Sequence, residues 1–182
     1  MRFERGFTIG LIALTAALFI VLNVVHALVL TPAAGGLTAP DLVPFGYNAD
    51  GLNAWLTAMD DPARERFIGA HTLTLDLIFP FLFSWSLYRL LVANLSKLPR
   101  FMNQARWLKA LLPLLLVLPY LVFDMVENMT VMAMLSTGQL PTPEVAVQLQ
   151  TWTVLKYAGV VLAAVSLVTF WLAARRTEMK NG

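Results

Sequence analysis

The chain has 182 residues, 58% hydrophobic and 13% charged, with a mean hydropathy of +0.69 and a formal net charge of +2. An ordinary soluble domain carries about 45–50% apolar and about 25% charged residues, so this composition excludes a soluble enzyme, a disordered chain and a nucleic-acid-binding module. The absence of cysteine further excludes disulfide scaffolds, thiolate nucleophiles and Cys-ligated metals.

Four stretches are long enough to cross ~30 Å of hydrocarbon at ~1.5 Å per helical residue. They cover about 7–30, 67–92, 108–135 and 151–174. Backbone polar groups in lipid need internal partners, so stretches of this length are expected to be helices. The expected architecture is all-α: a single-domain, integral membrane four-helix bundle. The first stretch follows Met-Arg-Phe-Glu-Arg, as a signal peptide would. Its apolar run is longer than the ~7–15 residues of a signal-peptide core, and it is read as a retained helix.

Residues 31–61 form the one long connection. Its first part is rich in Pro and Gly and reads as irregular. Leu52, Trp55, Leu56 and Met59 then recur at helical spacing, which predicts a short amphipathic helix on the outer leaflet or over the bundle. Asp61 followed by Pro62 reads as the N-cap and first residue of the second helix. Thr142 followed by Pro143 gives the same signal for the fourth, or for a short helix leading into it.

Basic residues orient the chain. Arg2, Arg5, Arg89, Lys97, Arg100, Arg106, Lys109, Arg175, Arg176 and Lys180 all fall on one side, ten of the thirteen present. The opposite loops carry Arg64 and Arg66 among six acids, Asp41, Asp50, Asp60, Asp61, Glu65 and Glu144. The positive-inside rule then predicts both termini in the cytoplasm and a multi-pass protein of the plasma (inner) membrane. Trp107 and Trp171 fall at the inner interface and Trp152 at the outer one. On the cytoplasmic side, Asn94-Leu95-Ser96 is discarded as a glycosylation site.

Ionisable groups at membrane depth are expensive and point to function by default. Asp76, Asp124, Glu127 and Lys156 are such groups, with His26 and His71 nearer the outer surface. Counted from the helix ends, all lie in the outer half, together with Asn23, Asn128 and Tyr157. Asn23 and His26 share a helix face, as do Asp124, Glu127 and Asn128. His71 and Asp76 would lie about 140° apart on a regular helix, so they share a site only if the helix is distorted or the site is wide. Pro80 supplies one distortion by freeing the carbonyl of residue 76.

Three chemistries fit this set. In the first, Asp124 and Glu127 share a proton as acid and base, with Asp76 as a second anchor. Lys156 is then the counter-charge, with Asn23, His26, His71, Asn128 and Tyr157 around a ligand. In the second, His26, His71, Asp76, Asp124 and Glu127 hold a divalent metal. No HExxH or ExxH spacing accompanies them, and no cofactor is assigned. In the third, the polar groups only join helices.

Trp55-Leu-Thr-Ala-Met-Asp-Asp-Pro62 followed by Asp76-Leu-Ile-Phe-Pro80 resembles the EXPERA family over about residues 51–95. These four-helix membrane proteins include sterol isomerases and the sigma-2 receptor. The resemblance implies a sterol-sized pocket to which Asp61 and Asp76 contribute. Phe123-Asp-Met-Val-Glu-Asn128 has no counterpart there. Together with Asp-Leu-Ile-Phe-Pro, that motif resembles small bacterial four-helix membrane proteins. The expected function is binding, with or without acid–base conversion, of a membrane lipid or other hydrophobic small molecule such as an isoprenoid, sterol-like or acyl lipid. The competing expectation is a non-catalytic subunit with a packing-only polar core. A second copy of the chain is the alternative partner, and no nucleic acid is expected.

Overall fold

The computed structural model describes residues 2–181. The side chains of Arg2, Arg5 and Lys180, part of the orienting charge count, lie outside the described residues. Four helices are long and apolar enough to cross a membrane: Gly6–Ala33, Asp61–Leu95, Arg106–Thr137 and Pro143–Met179, here the first to fourth spans. No strand occurs among the described residues. The fourth begins earlier than its apolar run because Pro143 opens it, fixing φ at a position whose N–H has no helical partner. Its extra turns bury Ala146 and Leu149 against the loop.

The third and fourth spans pair most extensively. The second packs on the third, the fourth and the first, whereas the first has no comparable contact with the fourth. Lipid gives little hydrophobic drive between helices, so close backbone approach and specific polar bonds hold such a bundle. Gly159 provides the approach: a Cβ there would meet Tyr120 N at 2.6 Å. Leu87, Leu91, Val117 and Ala163 fill the seam below it. The first span is tied to the second by Thr15 Oγ1 and Ser86 Oγ, 2.9 Å apart. Near the chain start, Arg89 Nη2 donates to Glu4 Oε2 at 2.5 Å.

The connection between the first and second spans folds onto one end of the bundle, here the loop end. Its helix, Ala49–Ala58, is capped by Asn48, whose Oδ1 accepts from Gly51 N at 2.9 Å. Leu52, Trp55, Leu56 and Met59 are all buried, against Phe67, Val131, Met134, Leu135 and Leu149. The helix therefore caps the bundle and does not lie on a flat surface.

One capping expectation is corrected. Asp60, not Asp61, is the N-cap of the second span: its extended backbone lets Oδ1 accept from Ala63 N at 2.8 Å. Asp61 is the first helical residue and Pro62 the second. Two spans also leave α-geometry near the loop end. His26–Leu30 of the first and Phe67–Leu75 of the second are π-helical, a form that recurs as short insertions at functional sites.

Candidate functional site

The π segments determine where the histidines go. In the second span the wider turn closes i to i+5, and Asp76 N–H donates to His71 O. Residue 76 is thereby stacked over residue 71, and His71 Nδ1 comes to 3.9 Å from Asp76 Oδ2. The distortion that unites them thus precedes Asp76. Pro80 acts differently: the carbonyl of residue 76 that it leaves free accepts from Asn128 Nδ2 at 3.4 Å. In the first span His26 opens the π segment. The chain has two histidines in all. Both are buried, and their Nε2 atoms meet at 2.5 Å across spans 45 residues apart.

Asp41 completes this group, and its role was missed from sequence, where it counted only as a loop charge. The turn Pro40–Leu42 inserts it into the bundle, leaving the residue 6% exposed. Its Oδ2 lies 3.8 Å from His71 Nε2. Its carbonyl oxygen accepts from Lys156 Nζ at 3.0 Å and from Tyr157 OH at 3.2 Å. Burial pushes the Asp41 carboxyl upward, but the facing His71, Lys156 and His26 outweigh it and hold the group below its ordinary range. The one sequence signal was a lone acid in an otherwise apolar stretch after Pro40.

Lys156 organises the carboxylates of the third span. It ion-pairs with Glu127, and its Nζ is 3.5 Å from Asp124 Oδ1. Thr153 Oγ1 donates to Glu127 Oε1 as well. Asn128 Nδ2 donates to Asp124 Oδ2 at 3.1 Å. Lys156 therefore contacts both members of the expected acid–base pair. Among the described residues, four carboxyls, Asp41, Asp76, Asp124 and Glu127, and one amine, Lys156, are buried.

Most of these groups border a cavity of about 510 Å³. It lies between the first and fourth spans, whose described residues pack little against each other, with the second span as its floor. Its trunk is apolar, walled by Ile12, Ala16, Phe19, Phe83, Leu87 and Tyr120. Its head, at the loop end, is formed by His26, Asp41, His71, Asp76, Asp124 and Lys156. Tyr157 also borders it, and Asn23 stands exposed at the rim, bonded to its own helix at Phe19 O. Glu127 and Asn128 sit behind the wall. Asp61 is outside the group altogether: its side chain is 93% exposed, 3.6 Å from Arg64. The two acids of the EXPERA resemblance therefore do not converge.

Of the residues weighed from sequence as an alternative metal set, His26 and His71 come together with Asp41, while Asp124 and Glu127 turn to Lys156. Comparison with protein-family models, with curated proteins and with solved structures gives no match.

Proposed function

We propose that this chain is a multi-pass protein of the plasma (inner) membrane, both termini cytoplasmic, that binds a hydrophobic small molecule in the cavity. The ligand is an isoprenoid, sterol-like or acyl lipid. Its apolar body lies along the trunk and its polar end meets the cluster at the loop end. The observation that carries this reading is the shape of the charge distribution: one apolar cavity ending against ionisable side chains. Its volume falls within the ~300–1,000 Å³ usual for small-molecule pockets. The gap between the first and fourth spans gives such a molecule a route from the bilayer.

Asp76 and Asp124 are the carboxyls in a position to exchange protons with a bound molecule, and Tyr157 and Lys156 are the donors beside them. Glu127, behind the wall, is the structural counter-charge of Lys156. A conversion at this site would be an acid–base step on the ligand's polar end.

The test is to purify the protein in mild detergent and identify co-purified small molecules by mass spectrometry. Wild type is expected to carry about one equivalent of a single lipid class. Ala16→Trp, which fills the trunk from its wall, should lower that content at least tenfold while the melting temperature moves by only a few degrees. Equal lipid content in both proteins overturns the proposal. Because the chain has no cysteine, single introduced cysteines report topology cleanly. Ser96→Cys should be labelled by impermeant reagents only from the cytoplasmic face.

A further inference from the structure

We propose that His26, Asp41 and His71 form a site for one divalent first-row transition-metal ion at the head of the cavity. Three observations converge. The chain has only two histidines, from different spans, and they face each other through Nε2, the ring atom that most readily ligates a metal. A carboxylate from a third element completes the group, with all three donor atoms within 4.8 Å of one another. The Asp41 carboxylate is buried, and its Oδ1 has no hydrogen-bond partner, a state that costs about 1–3 kcal/mol when nothing compensates.

Charge points the same way. Lys156 pairs with Asp124 and Glu127 and meets Asp41 only at its backbone carbonyl. A buried charge persists only when paired or bound to metal, otherwise neutralising by proton exchange. A dication there gives the buried Asp41 carboxylate a fixed counter-charge. Donors sharing one ion at ~2.1 Å lie ~3.0–3.4 Å apart when adjacent. The 2.5 Å histidine pair must open and the 3.8 Å Asp41–His71 separation must close, each by roughly half to one ångström, a side-chain adjustment. Asp76 Oδ2 lies 3.9 Å from His71 Nδ1, which has no hydrogen-bond partner, and closing that distance would let the carboxylate orient a ligating imidazole. Lys156 and Tyr157 hold the Asp41 turn in place through its carbonyl.

Two imidazoles and one carboxylate select Zn²⁺, Fe²⁺ or Co²⁺ over the all-oxygen ions Ca²⁺ and Mg²⁺. Three protein ligands leave a coordination position open, as in reactive rather than purely structural sites. All three ligands border the cavity, so that position faces whatever occupies it. The inference does not depend on the identity of that occupant.

The test uses the full chain, freed of any affinity tag, stripped with chelator and titrated with Co²⁺ and then Zn²⁺. About one equivalent of Co²⁺ should bind, displaceable by Zn²⁺, and the wild-type Co²⁺ protein should show hyperfine-shifted NMR signals from two imidazoles. His26→Ala and His71→Ala should each weaken binding at least 100-fold, and Asp61→Asn should leave it unchanged. Less than a tenth of an equivalent bound at micromolar Co²⁺ overturns the site. So does bound metal without imidazole signals, or histidine variants that bind like wild type. The wild-type spectrum decides the matter even if a variant fails to fold. Loss of the metal site with lipid still bound would refute this inference alone.

Discussion

The two halves of the bundle are held by different means. Toward the chain ends, the second, third and fourth spans meet through Leu87, Leu91, Val117 and Ala163, with the first span tied by Thr15–Ser86 and Arg89–Glu4. Toward the loop, the interior carries two histidines, four carboxyls and a lysine. A bundle that needed only adhesion could have used the first arrangement throughout. The loop half instead accepts buried charge and covers it with residues 34–60, sealed by Trp55 and its apolar neighbours. Such an investment fits a site, because buried ion pairs give little net stability compared with apolar packing.

The contrast can be broken from either side. The largest effect is expected from Lys156→Met, which leaves Glu127 and Asp124 without their cation. Removing one partner of a buried pair costs about 3–5 kcal/mol, measurable as loss of stability in denaturant titration in bicelles. Trp55→Ala should remove a comparable ~3–5 kcal/mol of local packing. Its signature is confined to one region: faster hydrogen exchange over residues 40–60, with the chain-end half unchanged. Gly159→Ala forces a methyl against Tyr120. It should cost about 1–3 kcal/mol through overpacking, seen as a lower melting temperature without loss of any bound small molecule. Ser86→Ala is the mildest, because an interhelical hydrogen bond in lipid averages ~0.6 kcal/mol. An effect much larger than that would show that the chain-end half also depends on polar contacts.

What could be read from sequence divides along physical lines. Four spans were legible because hydrocarbon thickness imposes length and hydropathy on every crossing segment. The common depth of Asp76, Asp124, Glu127 and Lys156 followed from counting along those spans. The freed carbonyl at residue 76 followed from proline's missing N–H, and so did a helix start at Pro143, though not that this start belongs to the fourth span itself. Asp41 was not legible, because the burial of a loop acid is decided by where the whole loop packs. The π segments were hidden too, since a switch from i+4 to i+5 bonding leaves no local composition signal. Without them, His71 and Asp76 fall on different faces, and the direct Nε2–Nε2 contact between His26 and His71 has no local signal, although the two were grouped as candidate ligands. The mutual placement of Asp124 and Glu127 was correct as a helix face, but Lys156, arriving from another span, decides which of them meets the cavity.

The central claim is that the loop-end cluster serves a ligand and that only its cavity-facing members touch it. Asp124→Asn and Glu127→Gln, purified in parallel, test it directly when co-purified lipid and melting temperature are measured on the same samples. The expected result is a double separation: Asp124→Asn loses the bound molecule and melts only slightly lower, Glu127 still pairing with Lys156, whereas Glu127→Gln melts several degrees lower and keeps the molecule. If both variants retain wild-type lipid content and both lose stability, the cluster is an internal fastening of the bundle and the claim is wrong.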